Sequence, residues 1–144
     1  MWFLQPGITF LDLVLRILAI LVIIFLVLPL HEFSHAWVAC KLGDDTPRFQ
    51  GRLTLNPIAH FSTWGAVCML LFDFGWAKPV MIDARNFKNP KRDRAIVSLA
   101  GPVSNIIAAL IGGLLLNLTQ IIPSEKIAVS FATFLSYYIS INAL

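Results

Sequence analysis

Apolar residues lie in long unbroken runs along this chain, and polar residues gather between the runs. The first run goes from Ile8 to Leu30, 23 residues, and between Ile17 and Leu30 it carries no polar side chain. Roughly 20 apolar residues suffice for a helix to cross a bilayer, so the run predicts a membrane span. It is too long for a signal-peptide core, no basic region precedes it, and no small-residue cleavage site follows. Asp12 and Arg16 stand four apart and share a helix face, where they can neutralise each other. The helical pattern continues through His31 to Cys40, until Gly43 supplies a stop. Two further runs, Ala95 to Leu118 and Ile127 to Leu144, predict a second and a third span.

The pattern between the first two spans is different. Phe61 to Phe74 is apolar, but as a helix it reaches only about 21 Å, short of a hydrocarbon core of roughly 30 Å. It predicts a re-entrant segment, which a membrane protein tolerates where other protein covers it. In Arg52-Leu53-Thr54-Leu55-Asn56-Pro57, polar and apolar residues alternate ahead of a proline. That alternation predicts a short strand running into a turn.

Composition narrows the class. The chain is 58% hydrophobic and 13% charged, with a mean hydropathy of +0.78, whereas a soluble domain carries roughly 25% charged residues. So little polar material excludes both a soluble fold and a disordered chain. Two cysteines, Cys40 and Cys68, exclude a disulfide scaffold and lack C-x-x-C spacing; they read as buried thiols. Of 11 basic residues, six lie between Gly75 and Arg94 and three between Lys41 and His60. Charges flanking long apolar runs fit positive-inside loops rather than a nucleic-acid face. The expected fold is therefore an all-α membrane protein. It has an outside N-terminus and three transmembrane helices, with a re-entrant segment and a short β element on the cytoplasmic side.

Chemistry enters where the first apolar run ends, at His31-Glu32-Phe33-Ser34-His35. Residues four apart share one helix face, so both imidazoles of an H-E-x-x-H motif can reach a single zinc ion. Glu32 is turned from His31 by about 100° and can act as general base on a water that attacks a carbonyl. The plainer alternative is that three polar residues mark a helix end at the membrane surface. Ionisable groups directly after 14 residues without a polar side chain favour the metal site. His60, in the loop, reads as a solvated or hydrogen-bonded histidine, with proximity to the metal as the alternative. Asp73 reads as facing a water-filled cavity or neighbouring backbone.

With these residues in place, the chain resembles the site-2 protease family of intramembrane zinc metalloproteases, in its compact prokaryotic form. The resemblance is carried by His31-Glu32-Phe33-Ser34-His35, Gly51-Arg52-Leu53-Thr54-Leu55-Asn56-Pro57, Gly75-Trp76-Ala77-Lys78-Pro79-Val80 and Ala100-Gly101-Pro102-Val103-Ser104-Asn105, in that order. It implies that His31 and His35 bind one Zn2+ ion and that Glu32 is the catalytic base. It implies that Asn105 lies beside the active site, orienting substrate or a developing oxyanion; an interhelical hydrogen bond is the other reading of that residue. Gly101 allows close helix approach, and Pro102 bends the helix or opens a turn.

Where the family places its third zinc ligand, an aspartate in an L-D-G motif, this sequence has none: it ends at Ile141-Asn142-Ala143-Leu144. Residues 1–144 are accordingly expected to be a single membrane-embedded core, incomplete at its C-terminus. The implied function is cleavage of transmembrane or membrane-associated protein substrates in a multi-pass prokaryotic cytoplasmic membrane protein. The partners implied are those substrates and the lipid bilayer, with no nucleic acid. A non-catalytic relative that binds other membrane proteins is the second functional class.

Overall fold

The structure is a computed structural model that describes residues 7–72 and 74–142. Thr9 starts the first helix with a reciprocal cap: its hydroxyl accepts the Asp12 N–H at 3.2 Å, and the Asp12 carboxylate accepts the Thr9 N–H at 3.1 Å. Asp12 is thus engaged at the cap, while the Arg16 guanidinium lies over the Tyr137 ring at 5.1 Å. Helix α1 (Phe10–Val22) continues through a π-helical turn (Ile23–Val27) into α2 (Leu28–Lys41). The turn has a local cause. Pro29 has no N–H and its ring presses on the carbonyl four residues back, so the helix widens there, and the Leu28 N–H reaches Ile23 O, five residues back.

Short helices α3 (Thr46–Phe49) and α4 (Pro57–His60) follow, then α5 (Thr63–Phe72) and a 3₁₀ turn (Ala84–Asn86). The long α6 (Pro90–Leu118) is opened by Asn89, whose N–H donates to buried Asp93 at 2.9 Å. After a second 3₁₀ turn (Thr119–Ile121), α7 (Glu125–Asn142) closes the described chain. Helix α2 packs most extensively on α6, and α7 packs on both α1 and α6. The main core lies where the π turn meets the other elements: Ile20, Ile23, Ile24 and Val27 against Met69, Ala108 and Ile141. A smaller core of Ala39, Phe87 and Val97 joins the far end of α2 to the start of α6.

Two expectations from the sequence are corrected. Among the described residues there is no strand, and residues 52–56 are irregular. Their polar groups serve a turn: the Arg52 N–H donates to Pro47 O at 2.8 Å, and Asn56 caps α4 through the Ile58 N–H at 3.1 Å. Thr54 O accepts from the His60 ring at 2.9 Å. Alternation predicts a strand only if a neighbouring edge is there to pair with.

The second correction concerns the spans. Among the described residues two helices, not three, are long and apolar enough to cross a membrane: Phe10–Lys41 and Pro90–Ile121. The stretch read as a third span forms α7, but Glu125 and Lys126 open it, Asn142 closes it, and serines and tyrosines interrupt it. Helix α5 has 10 residues, about 15 Å at 1.5 Å per residue. Asp73, which follows it, is outside the described residues, as are residues 143 and 144.

Asp44, directly after α2, is fully buried and ties the loop together. It accepts the Asp83 N–H at 2.7 Å, the Asn86 amide at 2.8 Å and the Thr46 N–H at 3.1 Å. Burial alone raises its pKa, but the Thr46 hydroxyl, which also donates to Oδ1, and these further hydrogen bonds outweigh burial and hold the carboxyl below its ordinary 3.8.

Two predictions follow from this architecture. Between the two candidate spans, no helix among the described residues is long and apolar enough to cross. Single cysteines at Arg48 and Lys88 in sealed cells are therefore expected to label from the same face; labelling from opposite faces would show a crossing between them. For Asp44, a lowered folded pKa means that its contribution is present above 3.8 and is lost as pH falls through the folded value. Thermal unfolding of the native protein should lose stability over that acid range by an increment that Asp44→Asn lacks.

Candidate metal centre

The H-E-x-x-H motif begins two residues past Pro29, and α2 presents His31 and His35 one turn apart toward α6. The opposing face of α6 is set by Val97, Gly101 and Asn105, spaced four apart. The helices run antiparallel, so His35 meets Val97 and His31 meets Asn105. The His35 Nδ1 lies 2.7 Å from Val97 O, and the His31 Nδ1 lies 3.0 Å from Asn105 Oδ1. Between these contacts Gly101 faces the imidazoles: a Cβ built there would collide with the Nε2 atoms of both His31 and His35. The absence of a side chain at that position opens the space in front of the pair.

The hydrogen bonds fix where the ring protons sit. A backbone carbonyl only accepts, so His35 Nδ1 must donate to Val97 O. Asn105 Oδ1 likewise accepts from His31 Nδ1. In the neutral rings each Nε2 then carries a lone pair, and these two atoms stand 3.1 Å apart. The rings meet edge to face, with centroids 4.8 Å apart. Two lone pairs at that separation repel unless a proton or a metal ion lies between them. Metal-ligating histidines nearly always donate their other ring N–H to an oxygen, as both do here. Imidazole nitrogen is also a preferred donor for zinc. The pair therefore fits a zinc ion. Among the described residues no third His, Cys, Asp or Glu joins it in a cluster, whereas a catalytic zinc ordinarily has three protein ligands.

Glu32 is almost fully buried, and its Oε2 accepts the Val80 N–H at 3.2 Å. It lines two cavities. One, of about 410 Å³, also touches His31, Trp76, Pro79, Asn105 and Asn142; the other, of about 260 Å³, touches His35, Pro79, Val80 and Val97. A larger apolar groove of about 920 Å³ runs from His31 along α6 past Asn105, Ala109 and Gly113. Asn142 of α7 borders the groove and donates to Asn105 O at 3.0 Å.

The remaining candidates lie elsewhere. His60 is buried in the loop, with its ring bonded to Thr54 O and its own carbonyl accepting the Lys78 N–H at 2.8 Å. Cys40 and Cys68 are free and half-buried rather than fully buried. Sequence reasoning did not single out Val80, Asp44 or Asn142, because their contributions are contacts between distant segments. The nearest sequence signal for Val80 was its place in the Gly75–Val80 motif.

The sequence model of peptidase family M50 matches residues 18–142. The chain belongs to peptidase family M50. The chain is 48% identical over 112 residues to "Putative zinc metalloprotease YwhC" of Bacillus subtilis (strain 168), covering 78% of this chain and 51% of that protein. It is 32% identical over 114 residues to "Putative zinc metalloprotease Rip2" of Mycolicibacterium smegmatis (strain ATCC 700084 / mc(2)155), covering 75% of this chain and 43% of that one. The chain thus spans about half the length of the curated relatives it matches. No solved structure matches it. Membership in M50 bears out the resemblance drawn from the motifs.

Gly101 gives a sharp test of packing between α2 and α6. Gly101→Ala must push α2 and α6 apart, and overpacking of this kind costs about 1–3 kcal/mol. Gly113, on the same helix, has nothing within 4 Å of a built Cβ. Gly113→Ala should instead stabilise by roughly 0.5–1 kcal/mol through helix propensity. Thermal unfolding in detergent should show opposite signs for the two variants; equal shifts would contradict the close approach at Gly101.

Proposed function

We propose that this chain forms the core of a zinc-dependent endopeptidase that cleaves membrane-spanning or membrane-associated protein substrates in or near the bilayer. The convergence of His31 and His35 Nε2, with both Nδ1 atoms committed to oxygens of α6, carries this reading. In it, His31 and His35 hold the zinc ion and Glu32 is the general base. Zinc, when bound, supplies the Lewis acidity that makes hydroxide available near neutral pH and polarises a carbonyl.

The protein groups do the rest. Glu32 Oε2 is engaged by the Val80 N–H, so Oε1 is the oxygen that accepts the proton of the attacking water. The same carboxyl then returns the proton to the leaving amine nitrogen. Asn105 fixes the His31 tautomer through Oδ1, and its amide NH₂ supplies a donor for the substrate carbonyl or the developing oxyanion. A transmembrane substrate must unwind locally, because a helical peptide bond is covered by its own hydrogen bonds. The groove along α6 is continuous with His31 and offers an apolar surface against which an unwound segment can lie.

Substitutions in the full-length protein separate these roles. Glu32→Gln should lower cleavage by about 10²–10⁴-fold or more, the range for loss of a general base, with zinc content unchanged. His31→Ala and His35→Ala should lose zinc and cleavage together. Undiminished cleavage by the Glu32→Gln protein would overturn the proposal. Zinc retention with no cleavage of any membrane substrate would favour a non-catalytic binding role.

A further inference from the structure

Residues 74–83 lie between α5 and the Ala84–Asn86 turn and belong to no helix. Three backbone N–H groups pin this strap to the rest of the molecule. Lys78 donates to His60 O at 2.8 Å, Val80 to Glu32 Oε2 at 3.2 Å, and Asp83 to Asp44 Oδ2 at 2.7 Å. The middle bond reaches the site, and the flanking two set where it falls. Pro79, beside Val80, borders both of the cavities that meet at Glu32.

Asp44 sits just beyond the end of α2, the helix that carries Glu32. Its carboxylate has 0% exposure and receives donors on both oxygens: Asp83 on Oδ2, and Asn86 and Thr46 on Oδ1. One carboxylate therefore locks the far end of the strap to the helix that bears the base. An amide cannot replace it. An asparagine turned with its NH₂ to Asp83 loses that anchor outright, and turned the other way it faces the Thr46 N–H and loosens the side chain that holds Asp83.

We propose that Asp44 is a positioning residue for Glu32: by holding the Asp83 N–H it keeps the Val80 N–H against Glu32 Oε2, so that Oε1 is presented to the attacking water. The proposal rests on Glu32 being the general base. It assigns Asp44 a part in the rate of the reaction and none in holding the metal.

The test uses the full-length, zinc-loaded protein and four forms: Asp44→Asn, Val80→Pro, the double variant, and Asp45→Asn as a surface control, since the Asp45 side chain is 45% exposed. Amide hydrogen exchange, zinc content, kcat and KM are measured on each. Asp44→Asn should speed exchange at residues 80–83 by about tenfold. It should lower kcat by roughly ten- to a hundredfold, as misplacement of a catalytic group does, with KM and zinc content unchanged. Val80→Pro removes the N–H itself on a segment that belongs to no helix, and should reproduce the loss in kcat. The double variant should fall no further, because the two residues act on one bond.

Faster exchange in Asp44→Asn with an unchanged kcat would overturn the proposal. A fall in kcat matched by loss of zinc would reduce Asp44 to a structural anchor and overturn it too. Should Asp44→Asn fail to fold, Val80→Pro decides alone, and an unchanged kcat there refutes the role of the strap. If Glu32→Gln cleaves normally, the general-base reading fails instead, and the strap exchange data still report whether Asp44 holds Asp83.

Discussion

Two imidazoles on one turn of a helix can act together only if the facing helix stays out of the space in front of them. In this molecule that space exists because α6 presents Gly101 there, where any Cβ would meet both Nε2 atoms. Four residues to either side, α6 returns to contact through Val97 O and Asn105 Oδ1, which take the two Nδ1 protons. Close approach and open space come from the same spacing of four. Beyond its contact with α2, α6 supplies the orientation of the site, since the rings would otherwise rotate freely about their side-chain bonds.

The elements around this contact answer to it. The π turn at Ile23–Val27 accommodates Pro29 directly ahead of the motif and places Ile23, Ile24 and Val27 in the main core. That core seats α5 through Met69 and α7 through Ile141, which encloses the cavity beside Glu32 on the side of α7. The second cluster, Ala39 with Phe87 and Val97, fastens the opposite end of α2 to α6. The hydrophobic surplus left outside these clusters falls on the outer faces, for instance Leu99, Ile106, Leu110 and Leu114 of α6, all more than half exposed. An apolar outer face is the natural condition of a helix that meets lipid rather than water.

The loop between the two long helices is polar in its bonding and extended in much of its course. It is held by few residues. Asp44 gathers four backbone or side-chain donors, His60 bridges Thr54 and Lys78, and Val80 reaches across to Glu32. Each joins segments many residues apart, so the loop is fixed by a handful of hydrogen bonds in place of a sheet. Under the proposed function, a base carboxylate set by such a loop is adjustable through residues that never approach the substrate.

What the sequence by itself determined is local. Fourteen residues free of polar side chains followed by His31, Glu32 and His35 specify a long helix with two imidazoles on one face, because helical periodicity depends only on spacing. The long apolar run in α6, and the need for a small residue at Gly101, were legible for the same reason. Tertiary structure decided the rest. The alternation at Arg52–Asn56 gave no strand, since pairing requires an edge that the fold does not bring there. The described part of the run from Ile127 to Leu144 formed a helix but not one apolar enough for a third span, because Glu125 and Lys126 open it and serines and tyrosines lie among its apolar residues. That Asn105 meets His31, that Val80 rather than another backbone amide caps Glu32, and that Asp44 holds the strap are contacts between segments 39 to 74 residues apart. No spacing rule links such positions; only the tertiary fold, which packs α6 and the 74–83 segment against α2 and its end, brings them within hydrogen-bond reach.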